Sequence, residues 1–551
     1  MSLNPTSNDI YLALIGTAFE PEGKLKQALD QAGRGHRRIG AQSEYAQHVA
    51  STFAAGRGQH GITISLLEGE AGLGKTLGYL VPMAVWCALR DSRGLLSVPL
   101  AAMTDRNLAA ELAAASAVAF DLTGKTVTFA RSFAARDFLS RDKIIALRAH
   151  LPARGDIEAA LNALERACDD GGLLADVLRD HGPLPSQIRL ADICGDESGD
   201  AYQTHLGHSA AADIILVPHG LLLDNLTGND DALASDSFAC AVVDEVEHFL
   251  PEANPRWDAP FIDALCLTGA ALDLDGNDQG FRALRDRLGL NGQVEEALSG
   301  RFVTPRFGAL AFSLSHPSAP RPTVEGEKLS RDNPRNPRWY DYVEGVLAEV
   351  AALRQRTLVL TCNHQDTAEL TRRLAAQDVH AIAYGPSDRL ADVVAAFVAN
   401  PAAILIGANF WERVNLPGLI KHLVVTRLPI GHFSGPAVDG LTASETERHV
   451  LSAVMRAARL KLKLGLGRAI RSASDDVHLW ITDPRFPLPS SFSDNPRLQL
   501  PPYDASHKAF SACIPERFRA GLFATYPQAA LIDPELGAGR ALRPAKRQAR
   551  Q

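Results

Sequence analysis

Two short stretches of the 551-residue chain carry the residue types of phosphate chemistry. The first is Gly69-Glu-Ala-Gly72-Leu-Gly74-Lys75-Thr76, which fits GxxxxGK[ST]. Its glycines, Gly69, Gly72 and Gly74, let backbone N–H groups curl around a phosphate, and a helix starting at the lysine adds a favourable dipole. Lys75 can reach the outer phosphates of a nucleotide, and the Thr76 hydroxyl can ligate Mg²⁺. The second stretch, CAVVDEVEHF (240–249), drives an apolar run into three carboxylates and a histidine. A carboxylate at the end of a buried strand is costly unless it is paired or near a metal. Beside a phosphate loop, Asp244 is expected to hold Mg²⁺ through its water shell. Glu245 is then placed to orient and deprotonate an attacking water. An acidic helix cap after a core strand is the plainer alternative.

Two later stretches bear on the same chemistry. Gly465-Leu-Gly-Arg468-Ala-Ile-Arg471 puts two arginines at i and i+3 on one helical face. Guanidinium is always charged and bridges phosphate oxygens bidentately, so such a pair can stabilise transition-state charge. Alone, RxxR reads as a solvated basic face. Residues 404–418, ILIGANFWERVNLPG, set Phe410 and Trp411 just past a buried strand, where a base could stack. Aromatic pairs in such places are more often core.

The elements that must position these residues read as two groups of parallel strands. Ile62–Leu67, Asp213–Val217 and Phe238–Val243 form the first. Thr357–Thr361, Ala403–Ile406, Leu423–Thr426 and Val477–Ile481 form the second. Helical patterns, among them Lys75–Leu89, Asp366–Ala376 and Glu445–Lys463, alternate with the strands, which indicates α/β units with both sheet faces covered. The phosphate loop lies between strand ISLL and helix KTLGYLVPMAVWCAL, the setting its chemistry requires. A Pro-, Asn- and Arg-rich stretch at 316–339 separates the groups.

Composition is that of a globular protein, 46% hydrophobic and 22% charged, with net charge −8, so the total charge demands no polyanionic partner. The seven cysteines (87, 168, 194, 240, 266, 362 and 513) form no CxxC pair, which fits a reducing cytoplasm. No leader-like N-terminus and no apolar run near the roughly 18 residues of a membrane span is present. The last residues, from Arg540, carry five basic side chains and no acid, an electrostatic handle for nucleic acid or an acidic protein.

GEAGLGKT, DEVEH, FWERVNLPG and GLGRAIR, in that order, resemble the motifs of superfamily 2 helicases of the XPD/DinG group. By the same resemblance RIGAQ (38–42) is the upstream glutamine motif, with Gln42 facing the adenine. AAMTDRNLAAEL (101–112) is the segment that grips the DNA backbone, giving Thr104 and Arg106. ADIILVPHGLLL (212–223) matches a stretch ending NHxLL, and TLVLTCNHQDTAELTRRL (357–374) opens the second motor lobe, giving Asn363. The chain departs from the family in its acidic box, where Glu247 holds the histidine position and His248 follows. It departs also at Arg413, Asn415 and Leu464. The group usually has four cluster-ligating cysteines between loop and box. Here Cys87 and Cys240 fall in core elements, leaving Cys168 and Cys194, too few for an iron–sulfur site. FARSFAARDFL (129–139) lacks the cluster cysteine but supplies Arg131 and Arg136 as strand contacts.

The resemblance implies two RecA-like parallel-sheet domains, with a helical vestige of the iron–sulfur domain and an arch-like insertion in the first. The expected boundaries are an N-terminal segment 1–37; domain 1 at 38–124 and 206–250; a helical insertion 125–205; an arch-like insertion 251–305; the end of domain 1 and linker 306–335; domain 2 at 336–490; and an extension 491–551. ATP with Mg²⁺ would bind between the lobes, touched by Lys75 and Thr76 from one and Arg468 and Arg471 from the other. A shortened, cluster-less chain of this kind resembles the DinG-like helicases of type IV CRISPR systems. That implies a cytoplasmic, monomeric 5′→3′ DNA helicase recruited to single-stranded DNA by a guide-RNA effector complex. An ATPase switch that remodels partners without unwinding, and an RNA helicase, stay open beside it.

Overall fold

The computed structural model describes residues 6–33, 40–58, 61–70, 72–151, 155–170, 172–181, 187–195, 212–229, 236–249, 260–270, 299–302, 308–316, 318–322, 336–385, 388–414, 418–430, 457–468 and 475–486. Shorter pieces lie at 184–185, 255–257, 284–285, 288–290, 295–296, 513–514 and 530–532, with single positions between them. The chain divides into two units, 1–273 with 277–304 and 274–276 with 305–551.

The first unit is built on a sheet of nine described strands: β1 (Arg57–Gly58), β2 (Gly61–Gly69), β3 (Arg93–Val98), β4 (Phe129–Arg131), β5 (Ile214–Pro218), β6 (Phe238–Val243), β7 (Ala264–Gly269), β8 (Glu295–Glu296) and β9 (Gly300–Phe302). Their order is β1-β2-β7-β6-β3-β5-β4, with β8 and β9 also against β2. Apart from the antiparallel β1–β2 pair, the ladders are parallel. Alternation along β2 splits its side chains between two cores. Leu67 joins one face, under α1 (Ser7–Ala18), α2 (Lys24–Gln31), α3 (Gly40–Ala55), α4 (Lys75–Arg90) and α5 (Arg106–Thr123). Ile62, Ile64 and Leu66 join the other, with Trp257, Phe261 and Leu288. Helix α4 is apolar almost all round and buried from Leu77 to Ala88, as a central helix must be. Register aligns the strand ends. Leu67 pairs Thr268, Leu267 pairs Val243, and Val243 and Val217 both pair Ser97. The carboxyl ends of β2, β7, β6, β3 and β5 therefore share one edge, where ligands bind in open α/β sheets.

Between β4 and β5, α6 (Arg141–His150), α7 (Gly155–Asp169) and α8 (Leu174–His181) enclose a separate apolar core of Ile144, Leu161, Leu164, Val177, Ile188 and Ile193. Cys194 is buried within it and Cys168 packs at its border. After β5, α9 (His219–Thr227) packs Leu221, Leu222 and Leu226 into the second face.

The second unit has seven described strands in one sheet: β10 (Ala309–Ser315), β11 (Thr357–Leu360), β12 (Ala381–Tyr384), β13 (Ile404–Gly407), β14 (His422–Val425), β15 (Asp476–Ile481) and β16 (Ala530–Ile532). The order is β12-β13-β11-β14-β15-β10-β16, every pair parallel. Asn336 caps α10 (Pro337–Ala352), its side chain accepting the Arg338 N–H, with proline at the first helical position. α11 (His364–Ala375), α12 (Leu390–Ala399), the short α13 (Phe410–Arg413) and a helix at 457–466 complete the described elements. Of the expected helix Glu445–Lys463, residues 445–456 lie outside the described residues.

Several expected boundaries need correction. The arch-like insertion at 251–305 contains β7, a strand hydrogen-bonded on both sides and buried along its whole length. Its flanks are rich in Gly, Pro and Asp, which masked a continuous apolar run that shows no alternation. β4 lies inside the expected helical insertion and extends the sheet edge instead. Residues 309–315, assigned to the end of domain 1 and linker, form β10, which pairs Ala309–Leu314 with Asp476–Ile481 in the second sheet. β16, from the expected extension, pairs with β10 in turn. The basic tail lies outside the described residues.

Candidate nucleotide site

The phosphate loop leaves β2 at the shared edge and enters α4 at Lys75. Gly72 and Gly74 hold φ of 85° and 80°, a region open to glycine and strained for other residues. At Gly74 a Cβ would also lie 2.3 Å from Gln42 Nε2, so the end of that buried side chain would have to move. Lys75 Nζ donates to the Gly69 carbonyl at 3.0 Å, spanning the loop. The Glu70 N–H donates to the Phe302 carbonyl at 3.1 Å, so β9 braces the loop from outside. Gln42, expected to face an adenine, is 3% exposed and donates from Nε2 to the Gly74 carbonyl at 3.0 Å. Its amide nitrogen holds the loop's own backbone.

Asp244 and Glu245 follow β6, with β7 between them and the loop's strand. The Asp244 N–H donates to the Ser97 carbonyl at 2.9 Å, fixing the box to the end of β3. Its carboxylate accepts from both sides, Oδ1 from the Glu245 N–H at 2.8 Å and Oδ2 from the Tyr79 hydroxyl at 2.7 Å. Burial, then the neighbouring Glu245 charge, raise the Asp244 pKa against the opposing pull of Lys75 and Tyr79. Glu245 is exposed and sits at φ 51°, a left-handed backbone without glycine. Such strain costs on the order of 1–3 kcal/mol and collects at functional sites. Glu247 is 2% exposed; Oε1 accepts the Ala270 N–H at 3.0 Å, and burial raises its pKa. A Cβ on Gly269 would fall 1.7 Å from Glu247 Oε2, so a side chain there would displace this buried carboxyl.

These residues suit a nucleotide with a divalent cation. Positive-φ glycines, a lysine across the loop and a helix start suit phosphates. The Asp244 carboxylate, whose charge burial disfavours, and the Thr76 hydroxyl in the first turn of α4 are hard-oxygen donors of the kind that hold Mg²⁺. Among the described residues no group of three or more His, Cys, Asp or Glu side chains could hold a metal by itself.

The expected nucleic-acid contacts fare differently from one another. Phe410 and Trp411 are 0% and 1% exposed. Trp411 Nε1 donates to the Thr361 carbonyl at 2.6 Å, and Phe410 stacks on Tyr384 at 5.2 Å. They are core residues, and the stacking platform expected there is withdrawn. Thr104 Oγ1 accepts from Arg179 of α8 at 2.6 Å, which ties the helical insertion to the loop after β3. Arg106 opens α5 behind the Asp105 cap, and its side chain lies outside the described residues. Arg131 ends β4, its Nε buried without a hydrogen-bond partner among the described residues. Arg136 pairs with Asp224 of α9. Asn363 caps α11, its Oδ1 accepting the Asp366 N–H at 2.7 Å. Arg468 donates to the Trp411 and Val414 carbonyls, each at 3.2 Å; Arg471 lies outside the described residues.

Sequence reasoning missed Tyr79, which lies one helical turn after Lys75 on the same face; that i, i+4 spacing was the available signal. It also missed His219, inside a motif it had noted. Nδ1 lies 2.8 Å from Ser97 Oγ, and burial, with His248 nearby, pushes the imidazole pKa down to about 3.

Residues 346–495 match the Helicase C-terminal domain family. No curated protein matches the chain. Similar solved structures include an XPD helicase, at 11% identity, covering 82% of this chain and 96% of that one with TM-score 0.47. S. cerevisiae Dbp5 bound to RNA and ADP BeF3 has 9% identity, 89% and 92% coverage and TM-score 0.40. The DEAD-box helicase Mss116 bound to ssRNA and UDP-BeF has 11% identity, 94% and 82% coverage and TM-score 0.42. At TM-scores below 0.5 these likenesses carry no functional weight. The family match falls within the second unit and supports an ATP-hydrolysing helicase.

Proposed function

We propose that the chain is an ATP-driven helicase that moves 5′→3′ on single-stranded DNA, as a monomer recruited by a type IV CRISPR effector complex. One observation carries the ATP-driven part: the GxxxxGKT loop and the Asp244–Glu245 box end parallel strands on the same edge of one sheet. The helicase C-terminal match of the second unit supports the motor reading. The order and spelling of the motifs support the DNA, polarity and recruitment parts.

In this reading Gly69, Gly72, Gly74 and Lys75 hold the triphosphate, and Thr76 and Asp244 hold Mg²⁺. The cation, when bound, screens the charge of the phosphate oxygens. Glu245 takes the proton of the attacking water. To Arg468 and Arg471 we assign stabilisation of the charge on the transferred phosphoryl group. Thr104, Arg106, Arg131, Arg136 and Asn363 remain the proposed strand contacts.

Lys75→Ala is expected to abolish ATP turnover while single-strand binding survives; normal turnover in that variant would remove the assignment. Burial of Phe410 and Trp411 favours a second reading, an ATPase switch that does not unwind, because translocation then lacks one proposed grip on the bases. Unwinding of duplexes with 5′ or 3′ overhangs separates the readings and tests polarity. Turnover without strand displacement selects the switch. Preference for RNA over DNA in a competition assay selects an RNA helicase.

A further inference from the structure

The hydroxyl of Tyr79 points at the acidic box. Tyr79 is 0% exposed, and its ring is part of the core under α4, a place a phenylalanine ring would fill equally well. What phenylalanine could not supply is the hydrogen bond from the hydroxyl to Asp244 Oδ2 at 2.7 Å. The other carboxylate oxygen, Oδ1, accepts from the Glu245 N–H at 2.8 Å. The two donors hold the carboxylate by both oxygens, and each oxygen keeps a further lone-pair direction for another partner. Both donors are neutral. A lysine or arginine in the place of Tyr79 would fix the carboxylate but also cancel the charge that a cation needs. A phenol fixes it and leaves that charge. An aromatic side chain has only two χ angles, and this one is locked in a packed core, so the hydroxyl sits where the backbone of α4 puts it.

We propose that Tyr79 is a positioning residue for the divalent cation: it sets the Asp244 carboxylate in its metal-holding orientation before the cation arrives. The inference rests on the reading of Asp244 as a metal-holding group. It adds a residue outside the phosphate-loop pattern, joined to Lys75 by one turn of helix. The element that carries the loop therefore also orients the box.

The test uses the full chain with Mn²⁺ as the probe. Electron paramagnetic resonance reads free Mn²⁺ in the presence of a non-hydrolysable ATP analogue. Binding of a fluorescent ATP analogue in EDTA reads nucleotide affinity without metal. Y79F is expected to weaken Mn²⁺ binding by about 10–100-fold, the usual cost of losing a partner that orients a metal ligand. Metal-free nucleotide affinity and the thermal midpoint should stay close to those of the parent chain, as the ring still fills its place. In a D244N background, Y79F should add no further loss of Mn²⁺ affinity, which a merely structural role would not predict. If Y79F binds Mn²⁺ like the parent chain while D244N does not, the positioning role is overturned and the site reading stands. If D244N itself keeps full Mn²⁺ affinity, the metal reading of Asp244 fails, and the role of Tyr79 falls with it.

Discussion

Gly74 shows how much one position can decide. Its φ of 80° is available to glycine, and a left-handed backbone costs other residues roughly 1–2 kcal/mol. The 2.3 Å approach to Gln42 Nε2 adds a clash that only movement of a buried side chain could relieve. Gly74→Ala should therefore weaken nucleotide binding at least about 10-fold, an effect of strain and lost loop geometry together. Titration with a fluorescent ATP analogue measures it, and unchanged affinity would mean that the loop is not the phosphate cradle. The glycine pattern was plain in the sequence. The reason a methyl at Gly74 would collide was not, because Gln42 reaches it from a helix 32 residues earlier.

At the scale of elements, the segment after β13 separates chemistry from packing. FWER looked like a platform for bases because it comes after a buried strand at the expected functional end. In the folded unit it is a short helix whose two rings turn inward, with the indole N–H satisfied by the end of β11. Trp411→Ala should cost about 3–5 kcal/mol of stability, the range for truncating a buried large aromatic. It should lower the denaturant midpoint of the second unit rather than act first on strand binding. If the variant keeps its midpoint and loses single-strand affinity, the ring has a role outside the core. The helical insertion gives the complementary case. It has its own apolar core, and Arg179 joins it to Thr104 on the loop after β3. The charged helices were legible in the sequence, but a guanidinium bridging 75 residues was not.

For the whole molecule, the consequential difference lies in where the second unit begins. A fragment starting at 336, where the sequence suggested the second domain begins, would omit β10. β15 would then lose a six-residue ladder and β16 its described partner, leaving an exposed hydrogen-bonding edge. A fragment starting at 305 should give a cooperative melt, whereas one starting at 336 should aggregate or melt without cooperativity. Equal behaviour in calorimetry and light scattering would show that β10 is dispensable. The sequence by itself determined the α/β class, and it placed the GxxxxGKT loop and the acidic box after their strands, because each is written in local order: a strand, a glycine pattern or carboxylates, then a helix. Only the tertiary structure decided that β7 lies between β2 and β6, that β10 belongs to the second sheet, that Phe410 and Trp411 are core, and that Tyr79 touches Asp244. Those facts depend on pairing and packing between segments far apart in the chain. A fully buried run such as ALCLTG has the same apolar spelling whichever neighbours it acquires.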